Sequence, residues 1–137
     1  SNGTSNVFCE CDRTDTSWLY LPEADIAAHR IIYTGGFAES NNRGSQRMTC
    51  VVEFSGARTR EFMEREVAAL PGNLKVLAHH HQRDSYVVQG HDTRERVDRL
   101  RVRLADRGFH LLGRFAEWEY YNMDTAIEAA MRVAARC

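Results

Sequence analysis

Between Gly113 and Ile127 the chain concentrates groups that can hold an anion. It carries Gly113-Arg114, three rings at Trp118, Tyr120 and Tyr121, and Asn122-Met123-Asp124 at the head of an apolar-periodic run. A helix starting at Asn122 would offer free backbone N–H groups to an anion or an electron-rich carbonyl. Arg114 can clamp a phosphate or an anionic ring. Tyr120 can donate its hydroxyl to phosphate. The same residues also suit a strand, a turn and a helix with a buried aromatic cluster and an Asn cap.

Other groups bear on chemistry less directly. His79-His80-His81 would place His79 and His81 on one face of a strand, and with His29 or His91 they could ligate zinc or iron. No carboxylate is evidently paired with them, so a strand edge is expected there and no metal site. Glu117 and Glu119 would share a face if their segment were a strand, a spacing open to paired-carboxylate hydrolysis. The arginines between Asp92 and Arg107 alternate with Glu95, Asp98 and Asp106 at helical spacing, which reads as a solvated, ion-paired face rather than an RNA surface. No nucleophile elbow is present. No catalytic residue is assigned within the chain.

Elements must position these groups, and composition bounds them. The 137 residues fit one domain of ordinary size, with 43% hydrophobic and 27% charged residues, as in soluble globular proteins. Eighteen basic residues against nineteen acidic ones leave a net charge of −1, without the basic excess of a nucleic-acid binder. No apolar run is long enough to span a membrane. Cys9, Cys11, Cys50 and Cys137 are too scattered for a disulfide framework and lack a CxxC pair, so a reducing, cytoplasmic setting is expected.

Periodicity predicts strands over 7–11, 17–21, 29–33, 47–54, 74–80, 85–89 and 109–112. It allows a helical turn over 22–28. Helices are predicted over 58–70, ended by Pro71-Gly72, and over 92–107, opened by an Asp92/Glu95 capping box and closed by Gly108. A last helix follows Asn122. Val97, Leu100 and Leu104 should face inward on the second helix, and Ile127, Ala130, Met131 and Ala134 on the third. Residues 34–47 form a glycine- and asparagine-rich loop, expected to be mobile. Residues 1–6 read as a tag remnant or frayed end, and 7–137 as a single domain. The fold class is α+β, a mostly antiparallel sheet covered by helices on one side.

The 113–127 segment resembles the C-terminal flavin-contacting signature of UDP-galactopyranose mutases and their protoporphyrinogen-oxidase-like and amine-oxidase-like relatives. Gly113, Arg114, Tyr120, Met123 and Asp124 carry the match. Trp18-Leu19-Tyr20-Leu21-Pro22-Glu23 with His29-Arg30-Ile31-Ile32 resembles the sheet of the same flavoproteins. The residues from His79-His80 to Gln89-Gly90-His91-Asp92 are similar to their connection into the last helix pair.

The resemblance implies the C-terminal part of an FAD-dependent enzyme whose N-terminal Rossmann half is missing here. Arg114, Asn122, Met123 and Asp124 would contact the flavin. Arg30, Arg114 and Tyr120 would hold a nucleotide sugar or another anionic substrate. In such enzymes the reduced flavin acts as a nucleophile on the sugar, or the flavin accepts electrons. The isolated piece would be inactive.

Two departures stand out. Tyr33-Thr34-Gly35-Gly36 occupies the place of the mutases' acidic-His-Lys run, and Asn122 replaces their aspartate. Both fit a relative with another substrate. The competing reading is a stand-alone, non-enzymatic ligand- or protein-binding module that has lost the flavin. A surface left open by the missing half would favour homo-oligomers covering Trp118, Tyr120 or Tyr121.

Overall fold

Alternation of small apolar residues builds the sheet. The computed structural model describes residues 2–135, so Ser1, Arg136 and Cys137 lie outside the description. The chain divides into two compact units, Ser1–Ser85 and Tyr86–Cys137. The fold is α+β, as expected.

In the first unit the strands are β1 (Asn2–Cys11), β2 (Trp18–Tyr20), β3 (Ala28–Ile32), β4 (Met48–Ser55) and β5 (Lys75–Tyr86), with helix α1 (Arg60–Ala68) between the last two. They form one open sheet in the order β2-β3-β4-β1-β5. The pairs β1/β4, β2/β3 and β3/β4 are antiparallel. At β5, a Cβ on Gly3 would press against the carbonyls of Gln82 and Arg83, while Asp12 N–H donates to Gly72 C=O. The two ends therefore meet in antiparallel sense.

One sheet face is the core. Val7, Cys9 and Cys11 lie opposite Val52, Cys50 and Met48, and all six are buried. Met63 and Val67 of α1 close over them, with Phe62 edge-on to Phe54 at 6.3 Å. Thr59 caps α1 by accepting from Phe62 N–H at 3.3 Å.

Several expectations are corrected here. The strand begins at Asn2, with Thr4 and Ser5 buried, so residues 2–6 belong to β1. Residues 22–27 hold a turn, closed by Ile26 N–H on Glu23 C=O at 3.2 Å, and no helix. The strand expected at 74–80 runs unbroken to Tyr86, and 87–89 of the strand expected at 85–89 are irregular. The polar middle of β5 is tolerated because β5 lies at the sheet edge, where side chains reach water.

The 34–47 loop is not loose. It holds two 3-10 turns, Thr34–Gly36 and Glu39–Asn42. Asn42 is buried and pins it: its amide donates to Gly35 C=O at 3.1 Å and to Glu39 at 3.3 Å, and its oxygen accepts from Thr49 N–H at 3.0 Å.

The three buried thiols are free. The contact between Cys9 and Cys50 pushes Cys50 up and Cys9 down, so the two oppose each other. Burial raises Cys11 and Tyr33. The folded Cys11 thiol therefore holds a proton that the unfolded chain releases near pH ~8.5. Its contribution to stability is full below that pH and falls as pH rises toward the folded value. In urea denaturation above pH ~8.5, Cys11→Val should remove this part of the pH dependence; a slope unchanged by that substitution would contradict it.

In the second unit, α2 (Thr93–Ala105) and α3 (Met123–Ala134) are joined by irregular chain. The strand expected at 109–112 is absent, and Glu117 and Glu119 lie in turn and coil rather than on a strand. On α2 the ion pairs Arg96–Asp92, Arg99–Glu95 and Arg101–Asp98 span 2.6, 3.2 and 2.9 Å, the solvated face that the charge spacing implied.

The capping box does not form. Asp92 occupies the N-cap without a side-chain bond, drawn instead to Arg96. Gly108 does follow the helix with φ +79°. No residue of α2 is buried, and Leu100 is half in water. On α3 the packed residue is Ala129, while Ile127 and Met131 are exposed. The face expected on α2 holds in part, since Val97 and Leu104 are half-buried while Leu100 is not, and the face expected on α3 is corrected.

Candidate functional site

Backbone turns bring the arginine of the second unit against two rings. Gly113 (φ +93°) and Trp118 (φ +53°) adopt left-handed backbone and fold 113–118 back on itself. Trp118 is held there because its indole N–H donates to Val88 C=O at 2.9 Å, while its own carbonyl accepts from Gln89 at 2.6 Å. Such backbone on a tryptophan is costly, and these bonds offset it.

Tyr86 and Tyr120 stack with centroids 6.5 Å apart. The Arg114 guanidinium carbon lies 5.4 Å from the first ring centre and 5.1 Å from the second. Arg114 Nε is buried without an acceptor. Among the described residues no acid pairs with it, whereas Arg94 and Arg101 of α2 reach Glu119 and Glu117. A cation fixed by rings and lacking a counter-charge suits an anion.

Asn122 is the N-cap of α3, but its side chain makes no cap bond. The first-turn amides are left open beside Met123, which is 85% exposed. Asp124 occupies the first turn, where its charge complements the helix dipole. Burial raises the Tyr121 hydroxyl above the usual tyrosine value, with Glu117 adding to it.

In the first unit, Arg30 is engaged within the sheet. Its Nε and Nη2 donate to Glu53 Oε2 at 2.8 and 2.5 Å, and its guanidinium lies 4.8 Å over the Trp18 ring. His29 reaches Glu53 Oε1 at 3.2 Å. Neighbouring residues of a regular strand face opposite ways. A register shift between Ala28 and Arg30 lets both reach one carboxylate. An anion at Arg30 would compete with Glu53.

Of the expected site residues, the structure brings Arg114 and Tyr120 together. Asn122, Met123 and Asp124 form one helix start, and Arg30 is paired inside the sheet. Sequence reasoning missed Tyr86 and Glu53. Glu53 did carry a signal, since an acid between Val52 and Phe54 in a buried strand demands a partner. Tyr86 carried none.

His79 meets Glu64 at 3.2 Å and His81 meets Ser5 at 3.1 Å, so the two share a face as expected. Among the described residues no group of three His, Cys, Asp or Glu side chains could hold a metal. No helix there is long and apolar enough to cross a membrane.

No family model matches the sequence, and no curated protein matches it. Among solved structures, the crystal structure of reduced UDP-galactopyranose mutase is similar, with TM-score 0.69 at 15% identity over 87% of this chain. The chain spans 28% of that protein. At such identity the likeness is one of fold: a mutase-like α+β fold.

Proposed function

We propose that this chain is the C-terminal, substrate-sheet and flavin-contacting part of an FAD-dependent flavoenzyme related to UDP-galactopyranose mutase, inactive without the rest. The observation that carries this reading is Arg114, whose guanidinium lies against both Tyr86 and Tyr120 with no acid paired to it among the described residues. The fold likeness supports the family, and its coverage of 28% of the neighbour supports a part of a larger protein.

The residues fit a flavin. Arg114 Nε lacks an acceptor, and the uncapped start of α3 leaves amides for a carbonyl or phosphate. Arg114, Asn122, Met123 and Asp124 would hold the cofactor, while Arg114 and Tyr120, with Arg30 of the sheet, would bind the anionic part of a nucleotide sugar. Bound flavin would supply electron transfer or, when reduced, a nucleophile for the sugar. The chain's own groups bind and orient.

The second unit supports a larger assembly too. Phe109, Met123, Ile127 and Met131 are exposed there, apolar surface of the kind a partner covers. The remainder of the enzyme, with its Rossmann half, is the proposed cover. A homo-oligomer is the alternative cover.

The test uses the parent protein. Visible flavin absorbance that bleaches with dithionite is expected, and its absence even after added FAD would favour the binding-module reading. In this chain, Arg114→Ala should weaken UDP binding, followed by tyrosine and tryptophan fluorescence, about tenfold or more. Equal affinity in wild type and variant would remove Arg114 from the site.

A further inference from the structure

Two thiols face each other across the middle of the sheet. In the β1/β4 ladder Cys9 is the register partner of Cys50, and both side chains lie on the buried face that α1 covers. Residues directly opposite in an antiparallel pair have Cα atoms about 4.5 or about 5.5 Å apart. Both separations fall inside the roughly 4.4–6.8 Å that a disulfide spans. Joining the two sulfurs therefore needs no movement of the backbone.

The ladder selects one pair among the three buried thiols. Cys11 lies opposite Met48, so it stands diagonal to Cys50. Diagonal neighbours are about 7–8 Å apart, beyond the reach of a disulfide. Cys11 and Cys9 are separated by about 6.6 Å along one strand with their side chains parallel, whereas a disulfide brings its Cβ atoms to within about 4.5 Å. None of the three thiols is spent elsewhere: all are free, and among the described residues no metal-holding group includes them.

The contact between the pair also divides their roles. The Cys50 thiol donates to the Cys9 sulfur, which lowers Cys9 and keeps the proton on Cys50. Thiolate is the attacking form of cysteine, so Cys9 is the nucleophile and Cys50 the resolving thiol.

We propose that Cys9 and Cys50 are a modification site that a small hydroperoxide oxidises to a cross-strand disulfide. The Cys9 sulfur attacks the O–O bond. An S–O bond forms, the O–O bond breaks, and the departing oxygen takes the Cys9 proton and leaves as water or alcohol. The Cys50 sulfur then displaces hydroxyl from the Cys9 sulfenic acid. The S–S bond forms, the S–O bond breaks, and the Cys50 proton leaves with the hydroxyl as water. Two electrons pass from the thiols to the peroxide. Both sulfurs lie under α1, so the oxidant enters when that cover opens and the reaction is slow. The pair belongs to the first unit and uses no flavin-contacting residue, so it stands or falls apart from the flavoenzyme reading.

The experiment exposes the 137-residue chain to hydrogen peroxide, then denatures it and alkylates it with iodoacetamide. Two fewer thiols than in the reduced chain are expected, and dithiothreitol should restore both. Glu-C cleaves after Glu10 and so parts Cys9 from Cys11, which lets peptide mapping name the bridge as Cys9–Cys50. Cys50→Ala should stop at a Cys9 sulfenic acid that dimedone traps, while Cys11→Ala should still form the bridge. The bridge closes residues 10–49 into a loop, so the oxidised protein should resist urea better, its unfolding constant lowered about a hundredfold or more. Thiols that all survive peroxide, over-oxidation without a bridge, or a bridge through Cys11 or Cys137 would overturn the proposal. So would an oxidised form less stable than the reduced one, because the sheet would then have to distort to close the bond.

Discussion

Gly35→Ala is expected to lower the unfolding free energy by about 3 kcal/mol, the combined cost of overpacking and a broken buried amide bond. A Cβ there would press on Asn42 Oδ1 and sit 2.6 Å from Met48 Cγ and 2.8 Å from Thr49 N. The last is backbone of β4 and has no slack. If Asn42 yields instead, Thr49 N–H and Gly35 C=O lose their partners inside the protein. Gly36→Ala is the internal control, because its nearest neighbour would be Thr16 C=O at 4.0 Å. Urea denaturation should place the two alanine variants well apart. Equal midpoints would show that the loop gives way freely and that Asn42 does not fix it.

Glu53→Ala should be comparably damaging, again about 3 kcal/mol. Glu53 is 5% exposed and accepts from both His29 and Arg30. Breaking a buried pair leaves charge in a low-dielectric setting, which costs more than the pair contributed. Glu53→Gln keeps the shape and an acceptor but not the charge, so it should fall between wild type and alanine. Chemical denaturation of the three proteins gives the order directly. A Glu53→Ala protein as stable as wild type would show that Arg30 and His29 reach water at no cost.

The strands and α1 were legible where burial imposes a period. Val7, Cys9 and Cys11 alternate, Met48, Cys50 and Val52 alternate, and Phe62, Met63 and Val67 recur at helical spacing before Pro71-Gly72. The polar middle of β5 hid its continuity, because an edge strand is held by backbone bonds while its side chains face water. At Leu100 of α2 and along α3 the rule fails for a different reason. Periodicity shows which face is apolar, not whether anything within the chain covers it, and Met123, Ile127 and Met131 stand in water.

The candidate site was half legible. Arg114, Tyr120 and Asn122 sit within one short segment whose residue types declare their chemistry. The ring that completes the arginine's cage, Tyr86, comes from the end of β5. Only folding brings it there. Glu53 shows the opposite lesson: its position announced a need, but the partners lay on another strand.

The shifted register in β3 makes that strand behave like a text with one inserted letter. Ala28 faces Phe54, and Ile31 faces Val52, so two inward residues stand three apart instead of two. Removing His29 would restore the even count and pair Ala28 and Ile31 with the sheet in one frame. The core would read unchanged, yet Glu53 would keep Arg30 and lose the imidazole that the offset places beside it. The extra residue is thus neutral to the hydrophobic grammar of the sheet and specific to its charged face. Length variation at this point, rather than substitution, is the change that would rewrite the polar side while leaving the apolar side intact.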